Sequence, residues 1–213
     1  FPELRDIYIE MVQKIVRRYA QDERILCWNI MNEPGITIGA RTIDILKTLF
    51  AVVRAEDPIQ PLTADIWRGV TGGEIRSEEE KVALELSDII SFHSYQSYEK
   101  LVAEIAYHQK QNRPIFLTEW LHRINHNNIE EVYPLLYITN VANYCWGFVV
   151  GKTQTHEPWP SLWEEFDRGG GDRYDFTKWQ HDLFRPNLRP YDPREIALIK
   201  KFNALADADK SNL

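Results

Sequence analysis

Apolar residues in the first twenty positions recur at helical spacing: Leu4, Ile7, Tyr8, Met11, Val12, Ile15, Val16 and Tyr19. Positions i, i+3, i+4 and i+7 share one face, so the spacing predicts an amphipathic helix. The pattern then changes. Ile25–Met31 is a short apolar run stopped by Asn32-Glu33-Pro34-Gly35, which reads as a strand entering a turn. Helical spacing returns at Ile43, Leu46, Leu49, Phe50 and Val53, within a helix over 41–56. A strand is expected at 61–67. A short helix follows at 78–87, with Ser77 and Glu80 spaced as a capping box. Ile89–Phe92 reads as a buried strand, 97–111 as a helix, 115–119 as a strand and 129–142 as a helix. Tyr144–Val150 reads as a fifth strand, and a final helix covers 193–206 with Pro193 near its start. The segment 151–192 carries Gly169-Gly170-Gly171 and scattered prolines, and reads as irregular.

Apolar strands alternating with helices predict an α/β fold with a parallel sheet covered by helices. Glu33 and Glu119 close the first and fourth strands, about three βα units of ~30 residues apart. No sequence repeat accompanies that rhythm and no linker interrupts it, so 1–213 reads as a single domain.

Composition narrows the partners. The chain has 213 residues and a net charge of −7. No Lys/Arg run offers phosphates a basic track, which argues against nucleic acid. The longest apolar stretches are too short to span a bilayer. Two cysteines, Cys27 and Cys145, make no disulfide framework. No GxGxxG, GxxxxGK[ST] or GxSxG motif occurs, so dinucleotide, P-loop and serine-hydrolase chemistry find no support.

Polar residues gather where the strands end: Asn32 and Glu33, Asp65 and Trp67, His93 and Tyr95, Glu119 and Trp120, then Lys152 and Gln154. Ligands bind at this edge of a parallel sheet. A carboxylate at the tip of a buried strand needs a partner or a task. Glu33 and Glu119 form a pair suited to glycoside hydrolysis. One protonates the leaving oxygen, and the other acts as nucleophile or activates water. A separation of ~5–5.5 Å gives retention of configuration and a larger one inversion.

The segments WNIMNEP (28–34), SFHSY (91–95) and FLTEW (116–120), with a tryptophan on the last strand, resemble clan A glycoside hydrolases of family 5, the cellulase and mannanase type. The resemblance runs through the whole chain. It implies a (β/α)8 TIM barrel of which strands four to eight are present, an incomplete barrel. Glu33 would be acid/base and Glu119 nucleophile in a retaining mechanism on β-1,4-linked glucan, xylan or mannan. Asn32 and His93 would contact sugar, Tyr95 would stand beside the nucleophile, and Trp146 would form a sugar platform. The mechanism needs no cofactor and no metal. Family resemblance alone points to a secreted or periplasmic setting. From the residues themselves, Gln154, Lys152 and His156 are candidate hydroxyl partners, and Trp159 and Trp163 candidate stacking faces.

A full barrel takes roughly 250 residues. Five strands would leave unpaired edges, with three units (~90 residues) missing at the front. Three outcomes stay open: a fragment of a longer enzyme, a reduced barrel closed by self-association into a homo-oligomer, or a truncated product. The second functional reading is a carbohydrate-binding truncated barrel without turnover.

Each residue also has a plainer reading. Glu33 could be an ordinary turn residue, and Glu119 could pair with the nearby Arg123. His93 could be a neutral hydrogen-bonded histidine, and Tyr95 and Trp146 core rings. His122 and His126 have the i, i+4 spacing of a zinc pair, but they sit among asparagines and lack the HExxH glutamate. Asp167, Asp172 and Asp175 do not have EF-hand spacing.

Overall fold

The computed structural model describes residues 2–210. The chain divides into two compact units: Phe1–His93 with His108–Ile115, and Ser94–Tyr107 with Phe116–Leu213.

In the first unit, α1 (Pro2–Tyr19) packs against α2 (Ile43–Arg54). Leu46, Leu49, Phe50 and Val53 form the buried stripe of α2, the face its spacing predicts. Arg17 holds Glu56 with two hydrogen bonds of 2.8 Å, and Gln13 adds a third at 2.7 Å. On α1, Val16 is buried, whereas Leu4, Ile7, Met11 and Ile15 are exposed. Strands β1 (Trp28–Asn29) and β2 (Leu62–Thr63) pair in parallel, Trp28 opposite Leu62. A parallel bridge from Ile66 to Phe92 joins the next strand, β3 (Ile90–His93), whose residues are all buried. The helix α3 (Glu78–Leu86) lies between β2 and β3 in the chain.

The expected capping box is absent. Ser77 is the N-cap of α3, but its hydroxyl donates to the Glu80 carboxylate at 2.6 Å rather than accepting from the helix. Glu80 is buried, and its other oxygen accepts from the backbone N–H groups of Trp67 and Arg68, each at 2.7 Å. A buried carboxylate gains more from two amide donors on a neighbouring loop than from its own N-cap.

β4 (Ile115–Glu119), in the second unit from Phe116 on, pairs in parallel with β5 (Ala142–Asn143), Phe116 opposite Ala142. Helix α4 (Tyr98–Gln109) falls within the expected 97–111. Helix α5 (Ile129–Ile138) starts at Asn128, whose side chain accepts from the Glu131 N–H. It stops four residues short of the expected end. Thr139 turns its hydroxyl onto the Leu135 carbonyl at 2.7 Å, and Asn140 takes a left-handed φ of 55°. That reversal supplies the chain for β5.

The fifth strand therefore lies earlier than 144–150. Beyond Asn143 two further rungs form, Tyr144 N–H to Leu117 O and Trp146 N–H to Trp120 O, both 2.9 Å. The partner chain then turns away at Leu121, whose φ is 83°, and the ladder stops. Gly147 has φ 85°, and a Cβ there would sit 2.4 Å from the Asp182 nitrogen. Only glycine fits. The segment 151–192 is not wholly irregular, since it contains the short helix α6 (Pro160–Glu165).

The last helix, α7 (Pro193–Lys210), runs beyond its expected end and packs on α5. Its Glu195 is buried and forms two 2.7 Å hydrogen bonds with the buried guanidinium of Arg123. Arg123 also donates to the carbonyls of His181 and Asp182 and stacks over Tyr191. Removing one partner strands a buried charge. Glu195→Ala should therefore lower stability by about 3–5 kcal/mol, read as a fall in the urea midpoint followed by tryptophan fluorescence.

Candidate active site

In the first unit the chain leaves β1 through Met31 and enters the turn Asn32-Glu33-Pro34-Gly35. Glu33 adopts φ 46°, a left-handed conformation that costs a non-glycine residue about 1–3 kcal/mol. The surroundings hold it there. Trp67 donates its indole N–H to the Pro34 carbonyl at 3.4 Å, and Arg68 donates to the Gly35 carbonyl at 3.0 Å. The Glu79 side chain packs so closely on Gly35 that a Cβ would meet it at 2.5 Å. Glu33 therefore lies in the turn, as the plainer reading has it, with its backbone held by packed neighbours. Its Oε1 is hydrogen-bonded to His93 Nδ1 at 2.8 Å.

His93 ends β3 and is buried. Its Nε2 lies 3.5 Å from Oδ2 of Asp65, also buried, and that same carboxylate oxygen accepts from the Asn29 side-chain amide. The order Asn29, Asp65, His93, Glu33 forms one chain of polar contacts across the tips of β1, β2 and β3. A histidine held between two carboxylates has its ring plane and rotation fixed, and with them the direction of the Glu33 carboxyl. Asn32 is exposed beside this network. Asn29 and Asp65 were not assigned a role from sequence. The available signal was the polar tip at Asp65 and the first asparagine of WNIMNEP.

In the second unit Glu119 ends β4. Tyr95 donates its hydroxyl to Glu119 Oε2 at 2.7 Å. Ser94 N–H donates to the Glu119 carbonyl at 3.0 Å, which ties the Tyr95 segment to the strand end. The Tyr95 ring stands edge-on to Trp159 at 5.2 Å and near His122 and His181. Arg123 does not serve Glu119, being committed to Glu195. Trp146 is 44% exposed, so its ring is open to solvent rather than packed inside. Trp159 and Trp163 are also exposed, and Trp163 stacks on Phe176 at 4.5 Å. Gln154 is exposed in a turn with φ 53°, and Lys152 is exposed beside it.

The histidine pair of the zinc reading separates. His122 is buried against aromatic rings, whereas His126 is exposed, with Nε2 on the Arg173 carbonyl at 3.1 Å. Asp175 accepts from Thr177.

The model of the family described as Cellulase (glycosyl hydrolase family 5) matches residues 3–148. The chain belongs to glycosyl hydrolase family 5. The match includes WNIMNEP, SFHSY, FLTEW and Trp146, and ends before Gln154 and α6. Among solved structures, the family 5 chain is similar to a β-glucuronidase from Ruminococcus gnavus, at 17% identity and a TM-score of 0.58, over 94% of this chain and 36% of that one. It is also similar to a GH2 β-galacturonidase from Eisenbergiella tayi, at 12% identity and a TM-score of 0.61, over 95% and 37%. A β-D-glucuronidase from Dictyoglomus thermophilum shows 15% identity and a TM-score of 0.57, over 92% and 35%. The chain spans just over a third of the length of these structures. No curated protein matches it. At these identities the likeness concerns the fold, which is α/β with parallel strands and helices, an incomplete TIM-barrel type with five strands among the described residues.

The buried histidines set an acid limit. Burial, then the neighbouring His181, pushes His122 down to about 3. Burial pushes His181 down to about 4. Unfolding frees both rings to bind protons at the ordinary value near 6.5. The unfolded state therefore binds more protons between about pH 4 and 6.5, and stability rises with pH across that window. The urea midpoint should fall steadily from pH 7 to pH 4.5, and His181→Gln should flatten that slope. An unchanged slope in His181→Gln would show that the His181 ring is not held neutral.

Proposed function

We propose that this family 5 chain is a retaining β-glycoside hydrolase acting on a β-1,4-linked polysaccharide or its oligosaccharides, with Glu33 as acid/base and Glu119 as nucleophile. The observation that carries this reading is the 2.7 Å hydrogen bond from the Tyr95 hydroxyl to the Glu119 carboxylate. A donor aimed at a carboxylate favours the ionised form that a nucleophile requires. Glu33 has a different partner, the His93 ring at 2.8 Å, a group able to pass or hold a proton. Two carboxylates in unlike surroundings suit two unlike tasks.

In the first step Glu119 attacks the anomeric carbon. The bond to the glycosidic oxygen breaks, and that oxygen takes the Glu33 proton, releasing the aglycone. In the second step Glu33, now a carboxylate, removes a proton from water. The water oxygen attacks the anomeric carbon and frees Glu119. Two inversions give net retention. His93 and Asp65 keep Glu33 aimed. The exposed rings of Trp146, Trp159 and Trp163 suit the C–H faces of sugars. Asn32 and Gln154 are exposed amides able to hydrogen-bond hydroxyls.

Chromogenic β-glucoside, β-xyloside and β-mannoside substrates test the reading. At least one should be hydrolysed, with the β-anomer appearing first by proton NMR. Glu119→Ala should abolish turnover on every substrate. Glu33→Gln should lose far more rate on a poor leaving group than on a dinitrophenolate, which needs no protonation. Equal activity in Glu119→Ala would refute the nucleophile, and oligosaccharide binding without hydrolysis would make the chain a binding module.

A further inference from the structure

Asn127 is fully buried in the second unit. Its side-chain oxygen accepts from the Leu121 N–H at 2.9 Å. Its amide nitrogen donates to the carbonyls of Ser94 at 3.3 Å and Gln96 at 2.7 Å. Leu121 lies two residues beyond Glu119, and Ser94 and Gln96 flank Tyr95. One side chain therefore grips the segment after the carboxylate and the segment that carries its hydroxyl donor. The grip is itself fixed, because His122 and Asn127 exchange two backbone hydrogen bonds of 2.8 and 3.1 Å. Asn125 adds a bond from its side chain to the Tyr95 carbonyl at 2.9 Å. Three successive carbonyls, 94 to 96, thus accept from amide side chains of a single loop.

We propose that Asn127 is a positioning residue that sets the hydrogen bond between Tyr95 and Glu119. The inference rests on the reading of Glu119 as nucleophile. Residues 94–96 lie beyond β3 in irregular chain. Besides the Asn127 amide, the Ser94 N–H bond to the Glu119 carbonyl and the Asn125 bond to the Tyr95 carbonyl hold this segment to β4 and the loop after it. A hydroxyl–carboxylate contact weakens steeply as distance and angle depart from the optimum. Displacements of about 1 Å at a reacting group cost up to about a hundredfold in rate.

Asn127 could instead serve only the turn at Leu121, whose φ of 83° also needs support. Asn127→Asp separates the two roles, because it keeps the acceptor for Leu121 N–H and removes both donors to 94 and 96. The experiment uses the full chain with 13C-labelled glutamate. The Glu119 carboxyl resonance is assigned by its loss in Glu119→Gln and followed at neutral pH. Tyr95→Phe marks the position of that resonance without the hydrogen bond. Asn127→Asp and Asn127→Ala should both move it toward that position, and the double variant Asn127→Ala with Tyr95→Phe should add nothing further. On a hydrolysed chromogenic glycoside, each should lower kcat about tenfold to a hundredfold with KM little changed.

A Glu119 resonance left at its original position in Asn127→Asp overturns the proposal, as do additive effects with Tyr95→Phe. A resonance that Tyr95→Phe itself does not move also overturns it. If the resonances shift as expected but no substrate is hydrolysed, the positioning role stands and the hydrolase reading falls. Should Asn127→Ala fail to fold by circular dichroism, Asn127→Asp and Asn127→Ser carry the test.

Discussion

A carboxylate taken out of water stays in place only where donors surround it, because desolvation without compensation costs several kcal/mol. That constraint organises both units. Glu80 is met by two backbone amides and a serine hydroxyl. Glu195 takes the fork of Arg123. Glu33 and Glu119 obey the same rule with more adjustable partners, an imidazole and a phenol. The structural carboxylates are locked by permanent charge or main chain. The two assigned to chemistry are held by groups that can exchange a proton or give up a bond.

The strand tips and the loops after them share this work unevenly. Strands β1 and β2 are each two residues long, so they fix position but supply few side chains. Precision comes from what crosses between them, above all Asn29 on Asp65 and His93 on Glu33. In the second unit, the chain after β4 doubles back through His122–Asn127 and secures its neighbours by side-chain amides rather than by a longer ladder.

Much of this was legible in the sequence, because burial writes periodicity into a chain. The stripe Leu46, Leu49, Phe50 and Val53 is an unbroken helical face, and Ile90–His93 is buried along its whole length. The hydrogen bond of Tyr95 to Glu119 joins two residues named from motif alone. The misplaced features depend on contacts distant in sequence. The fifth strand was set too late because Tyr144–Val150 is apolar, whereas its ladder depends on where β4 ends and on the room Gly147 leaves for Asp182. Glu80 matched a local capping pattern but was claimed by a loop twelve residues away. Asn127 looked like one of several loop asparagines, and nothing local reveals that it spans two segments.

The left-handed backbone of Glu33 has a consequence for how such a chain tolerates change. Glycine or asparagine would occupy that turn with less strain. A selection for thermal resistance alone would therefore favour replacing the residue proposed as acid/base, and if that proposal holds its most robust survivors would include inactive proteins. Any search for a hardier version must hold position 33 fixed and recover its conformational cost elsewhere in the chain.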